Sequence, residues 1–168
     1  MVQWFTYADE NVSLRVPKGL KPSRSKYWQK LSPALLFKGR IRRPDSNSAL
    51  MVGIDVDANP ETVKATMEAA QTNPATESMG TRWQYHYIGP SLTRPGGFEV
   101  KITQINPSPH GEAQRWGIIF SLGRRWIYVD IMSATGGLNW DEFALIDAEI
   151  ITSIELTGPS SSTTPRAG

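Results

Sequence analysis

The chain has no cysteine and only two histidines, His86 and His110, in 168 residues. The first absence rules out disulfides, thiolate metal ligands and cysteine nucleophiles. The second leaves little material for the acid–base chemistry that imidazole performs near neutral pH. His86 falls on the polar face of a strand pattern and His110 in a proline-rich turn, positions that suit exposed or locally bonded side chains. No Gly-x-Ser-x-Gly elbow provides a hydrolase nucleophile, and no Gly-x-x-x-x-Gly-Lys loop provides a phosphate cradle. Nothing here asks for a cofactor. No apolar run approaches the roughly 18 residues that cross a bilayer. The opening Met1-Val2-Gln3-Trp4-Phe5 has neither the basic nor the apolar region of an export signal. The expectation is a cytoplasmic protein if Met1 is the native start, and an exported one if a signal segment has been removed.

One further absence is local. Between Asn11 and Pro44 there is no acidic residue but there are ten basic ones: Arg15, Lys18, Lys21, Arg24, Lys26, Lys30, Lys38, Arg40, Arg42 and Arg43. The rest of the chain holds eight basic residues against all sixteen acidic ones, although the whole carries a net charge of only +2. Such asymmetry points either to an anionic partner or to a basic segment neutralised by folding against the acidic remainder.

What is present is strand alternation punctuated by turns. Trp4-Phe5-Thr6-Tyr7 and the alternating Val12, Leu14 and Val16 read as a hairpin closed by Pro17 and Gly19. Residues 21–33 read as an irregular connection carrying Tyr27, Trp28 and Leu31. Strands over 34–42 and 49–57 follow, joined by the turn former Pro44-Asp45-Ser46-Asn47 and so antiparallel. Asn59-Pro60-Glu61 is a helix start, and the helix runs to about 71. Four strands over 81–88, 97–105, 113–122 and 125–132 are separated by Gly and Pro turns with no helix between them, which makes an antiparallel meander. The pattern in 81–88 puts Trp83, Tyr85 and Tyr87 on one face. The last strand is apolar on both faces and belongs at the sheet centre. A C-terminal helix over 139–151, capped by Asn139, buries Phe143, Ile146 and Ile150. The fold class is α+β: one globular domain over residues 1–156, an antiparallel sheet flanked by two helices, and a disordered Pro/Ser/Thr-rich tail over 157–168.

Two stretches resemble the PsbP-like family, which unites the extrinsic oxygen-evolving protein of photosystem II with a Ran-binding nuclear import factor. Val12-Ser13-Leu14-Arg15-Val16-Pro17-Lys18-Gly19-Leu20 is similar to the family's opening strand and its Pro turn. Arg125-Trp126-Ile127-Tyr128-Val129-Asp130-Ile131, followed by Trp140 to Ile154 with its closing Ile150-Ile151-Thr152-Ser153-Ile154, is similar to the final strand and helix. The chain departs from the family over 21–33, where a buried Trp ordinarily follows soon after the Pro turn and the nearest here is Trp28. The resemblance implies an α-β-α sandwich that binds partners or assists assembly without catalysis.

The candidate site follows from the charge. Lys38, Arg40 and Arg42 alternate along one strand face, and Arg24, Lys26, Tyr27, Trp28 and Arg43 add charge and aromatic surface of the kind enriched in interfaces. These eight residues point to a non-catalytic protein-binding or accessory factor with an acidic protein as partner. A nucleic-acid or other polyanion binder on the same stripe is the first alternative. A ligand carrier or enzyme with a pocket between the sheet and the C-terminal helix, lined by Trp83, Tyr85 and Trp140, is the second. Asp55 with Asp57 as hard-cation ligands, and Glu99 with Asp130 as a carboxylate pair, are weaker than the plain reading of solvated acids, so no metal is expected.

Overall fold

The computed structural model of the chain describes residues 2–24, 35–42, 47–72, 80–107, 111–134 and 137–158. Strands β1 (Trp4–Ala8) and β2 (Val12–Pro17) form the expected antiparallel hairpin. Its turn is closed by one carboxylate oxygen of Asp9, which accepts from the N–H groups of Asn11 at 2.8 Å and Val12 at 2.9 Å. The larger sheet has seven antiparallel strands: β3 (Leu20–Arg24), β4 (Leu35–Arg42), β5 (Asn47–Asp55), β6 (Arg82–Pro90), β7 (Phe98–Ile105), β8 (Glu112–Leu122) and β9 (Arg125–Ser133). Their order is β3-β4-β5-β9-β8-β7-β6, so β9 takes the central place that its two apolar faces demand.

Helices α1 (Pro60–Thr72) and α2 (Trp140–Ser153) lie on opposite faces of this sheet, and both begin where an Asn cap directs them. The Asn59 side chain accepts from the Thr62 N–H at 3.1 Å and the Asn139 side chain from the Glu142 N–H at 2.9 Å. Under α2, the inward residues Trp116, Ile118 and Phe120 of β8 stand opposite Ile131, Val129 and Ile127 of β9, and all are buried. Phe143, Ile146 and Ile150 of α2 and Val12, Leu14 and Val16 of β2 close over them as one core. Each such fully buried aliphatic or aromatic side chain contributes about 1.5–3 kcal/mol. On the other face α1 packs against β6, β7 and β8.

Several elements differ from the sequence reading, each for a local reason. Residues 21–24, the start of the segment read as irregular, form β3 together with Leu20: Leu20 is buried and the segment pairs with β4 although it contains Pro22. Gly19 and Gly39 permit this crossing. A Cβ on Gly39 would stand 2.1 Å from the Gly19 carbonyl oxygen, and Gly19 itself adopts φ +110°. A short β10 (Glu155–Leu156) joins β2 in a separate three-stranded sheet, so the opening hairpin is not alone. Thr157 donates its N–H to Asn11 and its hydroxyl to the Asp9 carbonyl, while residues 159–168 of the expected tail lie outside the described residues. In β6 a bulge between Tyr85 and Tyr87 inserts one residue, so Tyr87 turns to the face opposite Tyr85. The strand expected over 49–57 ends at Asp55, leaving Asp57 in a turn.

Candidate functional site

The antiparallel register of β3 and β4 sets Lys21 directly opposite Lys38, with Arg40 two residues further along the same face. Opposed Cβ atoms in such a pair are about 4.5–5.5 Å apart, and like charges there repel. All three side chains are exposed, and among the described residues none of them forms an ion pair. Among the described residues of the basic run, Arg15 is neutralised, pairing with Glu149 of α2. Beside the cations the same sheet face carries half-buried Leu36, Met51 and Met132; Met51 stands opposite both Lys38 and Met132. The strip therefore has a charged margin on β3 and β4 and an apolar floor on β4, β5 and β9.

Of the eight residues singled out from sequence, Lys38 and Arg40 are placed together on this face. Arg24 and Arg42 end β3 and β4, but their side chains, like Lys26, Tyr27, Trp28 and Arg43 as a whole, lie outside the described residues. Sequence reasoning missed Lys21, Met51 and Met132. Lys21 belonged to the basic run, but only the β3–β4 register, hidden while residues 21–33 read as irregular, places it against Lys38. Met51 lies in the strand expected over 49–57, where alternation with the inward Leu50 and Val52 places it on the outward face, but the search for a site followed charge alone.

The second concentration of polar groups lies under α2. His86 stacks on Trp140 at 4.7 Å between ring centroids, and its Nε2 meets the Thr103 hydroxyl. The Thr103 hydroxyl donates in turn to Gln114 Oε1, and the Gln114 N–H donates to Ser133 Oγ at 2.9 Å. This order assigns the proton on Nε2 to His86, with Thr103 accepting. Thr103 thus gives its own proton to an amide oxygen, the wrong direction for a nucleophile served by a base. Burial lowers the His86 pKa, against a smaller opposing effect of Glu112.

Glu99, fully buried, is enclosed by donors. Ser91 Oγ lies 3.1 Å away, the Leu92 N–H 3.3 Å, Trp116 Nε1 3.2 Å and Lys101 Nζ 3.4 Å. The Lys101 ammonium also sits 4.1 Å from the centre of the Trp116 ring. Glu99 and Asp130 do not form the carboxylate pair considered from sequence, because they project from opposite faces: Glu99 is in register with Ile118, while Asp130 is opposite Gly117. Asp130 is held instead by Arg115, whose Nε and terminal nitrogen donate at 3.0 and 2.7 Å; that bond raises the Arg115 pKa. Asp147 of α2 contrasts with Glu99. It is fully buried, neither carboxylate oxygen has a hydrogen-bond partner among the described residues, and burial above all raises its pKa well above the ordinary value.

The metal and pocket readings also meet specific obstacles. The Asp57 carboxylate is taken up by Arg125 through two 3.0 Å bonds, and Asp55 accepts from the Asp57 N–H. Among the described residues no group of three or more acidic or His side chains could hold a metal ion. Trp83 and Tyr85 cannot share a pocket with Trp140, since their register with Gln104 and Ile102 puts them on the α1 side. Trp140 packs on Trp116 and Phe143 as part of the interior. A cleft of about 370 Å³ does exist, but on the α1 face, between Pro60 and Lys64 on one side and Phe98, Ile119 and Trp126 on the other.

No family model and no curated protein matches this chain. Among solved structures it is similar to the Ran-binding protein Mog1p of Saccharomyces cerevisiae, with 11% identity and a TM-score of 0.57 over 96% of this chain and 99% of that one. A protein of Bacteroides thetaiotaomicron matches with 12% identity and a TM-score of 0.44, over 89% of this chain and 46% of its own length. The likeness to Mog1p at that identity is one of fold: two helices on a large antiparallel sheet, along nearly the whole length of both chains.

Proposed function

We propose that this chain is a PsbP-like domain, one folding unit over residues 1–156, that works as a non-catalytic accessory factor by binding an acidic surface of another protein through the β3–β4 strip. The observation that carries this reading is the Lys21–Lys38 pair with Arg40 beside it, like charges held side by side with no acidic partner among the described residues. A fold gains nothing internally from that arrangement, whereas an approaching anionic surface is attracted by all three charges at once. Use of a similar fold for protein binding by Mog1p supports the same direction. The non-catalytic part rests on the Thr103–Gln114 bond and on the enclosure of Glu99, which occupy the hydroxyl and carboxylate nearest to His86 and Trp116 in structural work.

The test is affinity capture from a lysate of the source cells with the wild-type chain and with the double variant Lys38→Glu, Arg40→Glu. The reading predicts a protein captured by the wild type, released as salt rises, and reduced at least about tenfold by the double charge reversal. A partner retained by the variant would sink it. Loss of the captured material on nuclease treatment would replace the acidic protein with a nucleic acid.

A further inference from the structure

Helix α1 covers only part of its face of the sheet. It packs on β6, β7 and β8, while at the other end the outward residues Lys21, Ser23, Lys38 and Arg40 of β3 and β4 are exposed. We propose that this strip is a slot for a single amphipathic α-helix of the protein partner, apolar toward Leu36, Met51 and Met132 and carboxylate-bearing toward Lys21, Lys38 and Arg40. The proposal rests on the protein-binding reading above and adds the form of the ligand.

The dimensions fit one helix. The four strands β3, β4, β5 and β9 are set apart by three spacings of about 4.8 Å, about 14 Å in all, against a helix diameter with side chains of about 10–12 Å. Strand β4 has eight residues, about 26 Å, the length of a helix of about 17 residues. The chemistry is also divided lengthwise, as a helix with two flanks requires. The cations stand on the outer strands, and the Met51–Met132 pair stands on β5 and β9, nearer to α1. Gly53, opposite Leu36, leaves the floor without a side chain at its middle, and methionine thioethers adapt to irregular apolar surfaces. On the inner side the Arg115–Asp130 ion pair separates the slot from the region under α1.

Addition of an extended strand is the competing mode, and both edges of the sheet oppose it. Pro22 removes a donor from the middle of β3, and the bulge at His86 interrupts β6. Among the described residues, the face and not the edge is the part left open.

The experiment uses the full chain carrying ¹³C-methyl methionine. It is titrated at low salt with a synthetic peptide of about 17 residues, Glu on one helical flank and Leu on the other, and separately with polyglutamate of equal length. The expected result is that the Met51 and Met132 methyl resonances shift and saturate with the amphipathic peptide, while that of Met67, buried between α1 and β8, stays in place. Met51→Ala weakens that binding about tenfold, and polyglutamate binds at least about tenfold more weakly than the amphipathic peptide. Unmoved Met51 and Met132 resonances, equal binding of polyglutamate, or no binding of the amphipathic peptide each overturns the helix slot. Equal binding of both peptides that is lost in the Lys38→Glu, Arg40→Glu chain leaves the protein-binding reading standing. Partner capture indifferent to that double variant removes the reading and the slot together.

Discussion

At the scale of single residues, the structure holds two buried carboxyls that solve the same problem differently. A buried charge is tolerated when donors enclose it, and Glu99 has four within 3.4 Å. Asp147 has none, so the neutral acid is the form the folded chain favours; burial dominates, Asp130 adds to it and Lys101 opposes it. The sign of the pH dependence follows. With a folded pKa raised above the ordinary 3.8, Asp147 costs nothing below that value and costs progressively more as pH rises from there toward its raised folded value. Denaturant unfolding at a series of pH values should therefore show a component of wild-type stability that falls as pH climbs above about 4. In Asp147→Asn that component should be absent. A variant whose stability follows the same slope would show that Asp147 is not the titrating group. The sequence reading did not single out Asp147; its burial follows from α2 being covered both by β2 and by the large sheet.

At the scale of elements, α2 is fixed at both ends by different chemistry. Asn139 starts it, and this was legible because a capping side chain and the N–H it serves are three residues apart. Its C-terminus is held by a residue 57 positions away: the Arg94 guanidinium donates to the carbonyls of Ile151 at 2.8 Å and Ile154 at 2.9 Å and lies over the Phe120 ring. No local pattern could announce that contact, since it depends on the β6–β7 loop reaching the end of the helix. Arg94→Ala should lower stability by about 2–3 kcal/mol, from lost charged hydrogen bonds to otherwise unserved carbonyls. Hydrogen exchange should rise first in residues 150–156, and a uniform rise across all strands would contradict this local role. The same contrast explains the other misreadings. Strands β4 to β9 were legible from alternation, whereas β3 lacked it, β10 was too short to show it, and the β6 bulge shifted its phase.

At the scale of the whole molecule, the uneven charge of the sequence survives folding on one sheet face. Arg15 is absorbed by Glu149 and Arg125 by Asp57, yet Lys21, Lys38 and Arg40 meet no acid among the described residues. The fold class was readable from order and punctuation, and the likeness to Mog1p agrees with it. The site was only half readable: alternation placed Lys38 and Arg40 on one face, but Lys21 and the methionine floor came from strand pairing, which depends on register between distant residues. The central claim is that this charge is kept for a partner and not spent inside the fold. Denaturant unfolding of the wild type and of Lys38→Gln, at low and high salt, tests it most directly. The account predicts that the variant is as stable as the wild type or a few tenths of a kcal/mol more stable at low salt, with the difference vanishing at high salt. A loss of about 1 kcal/mol or more would mean that Lys38 is neutralised within the fold, and would contradict the account.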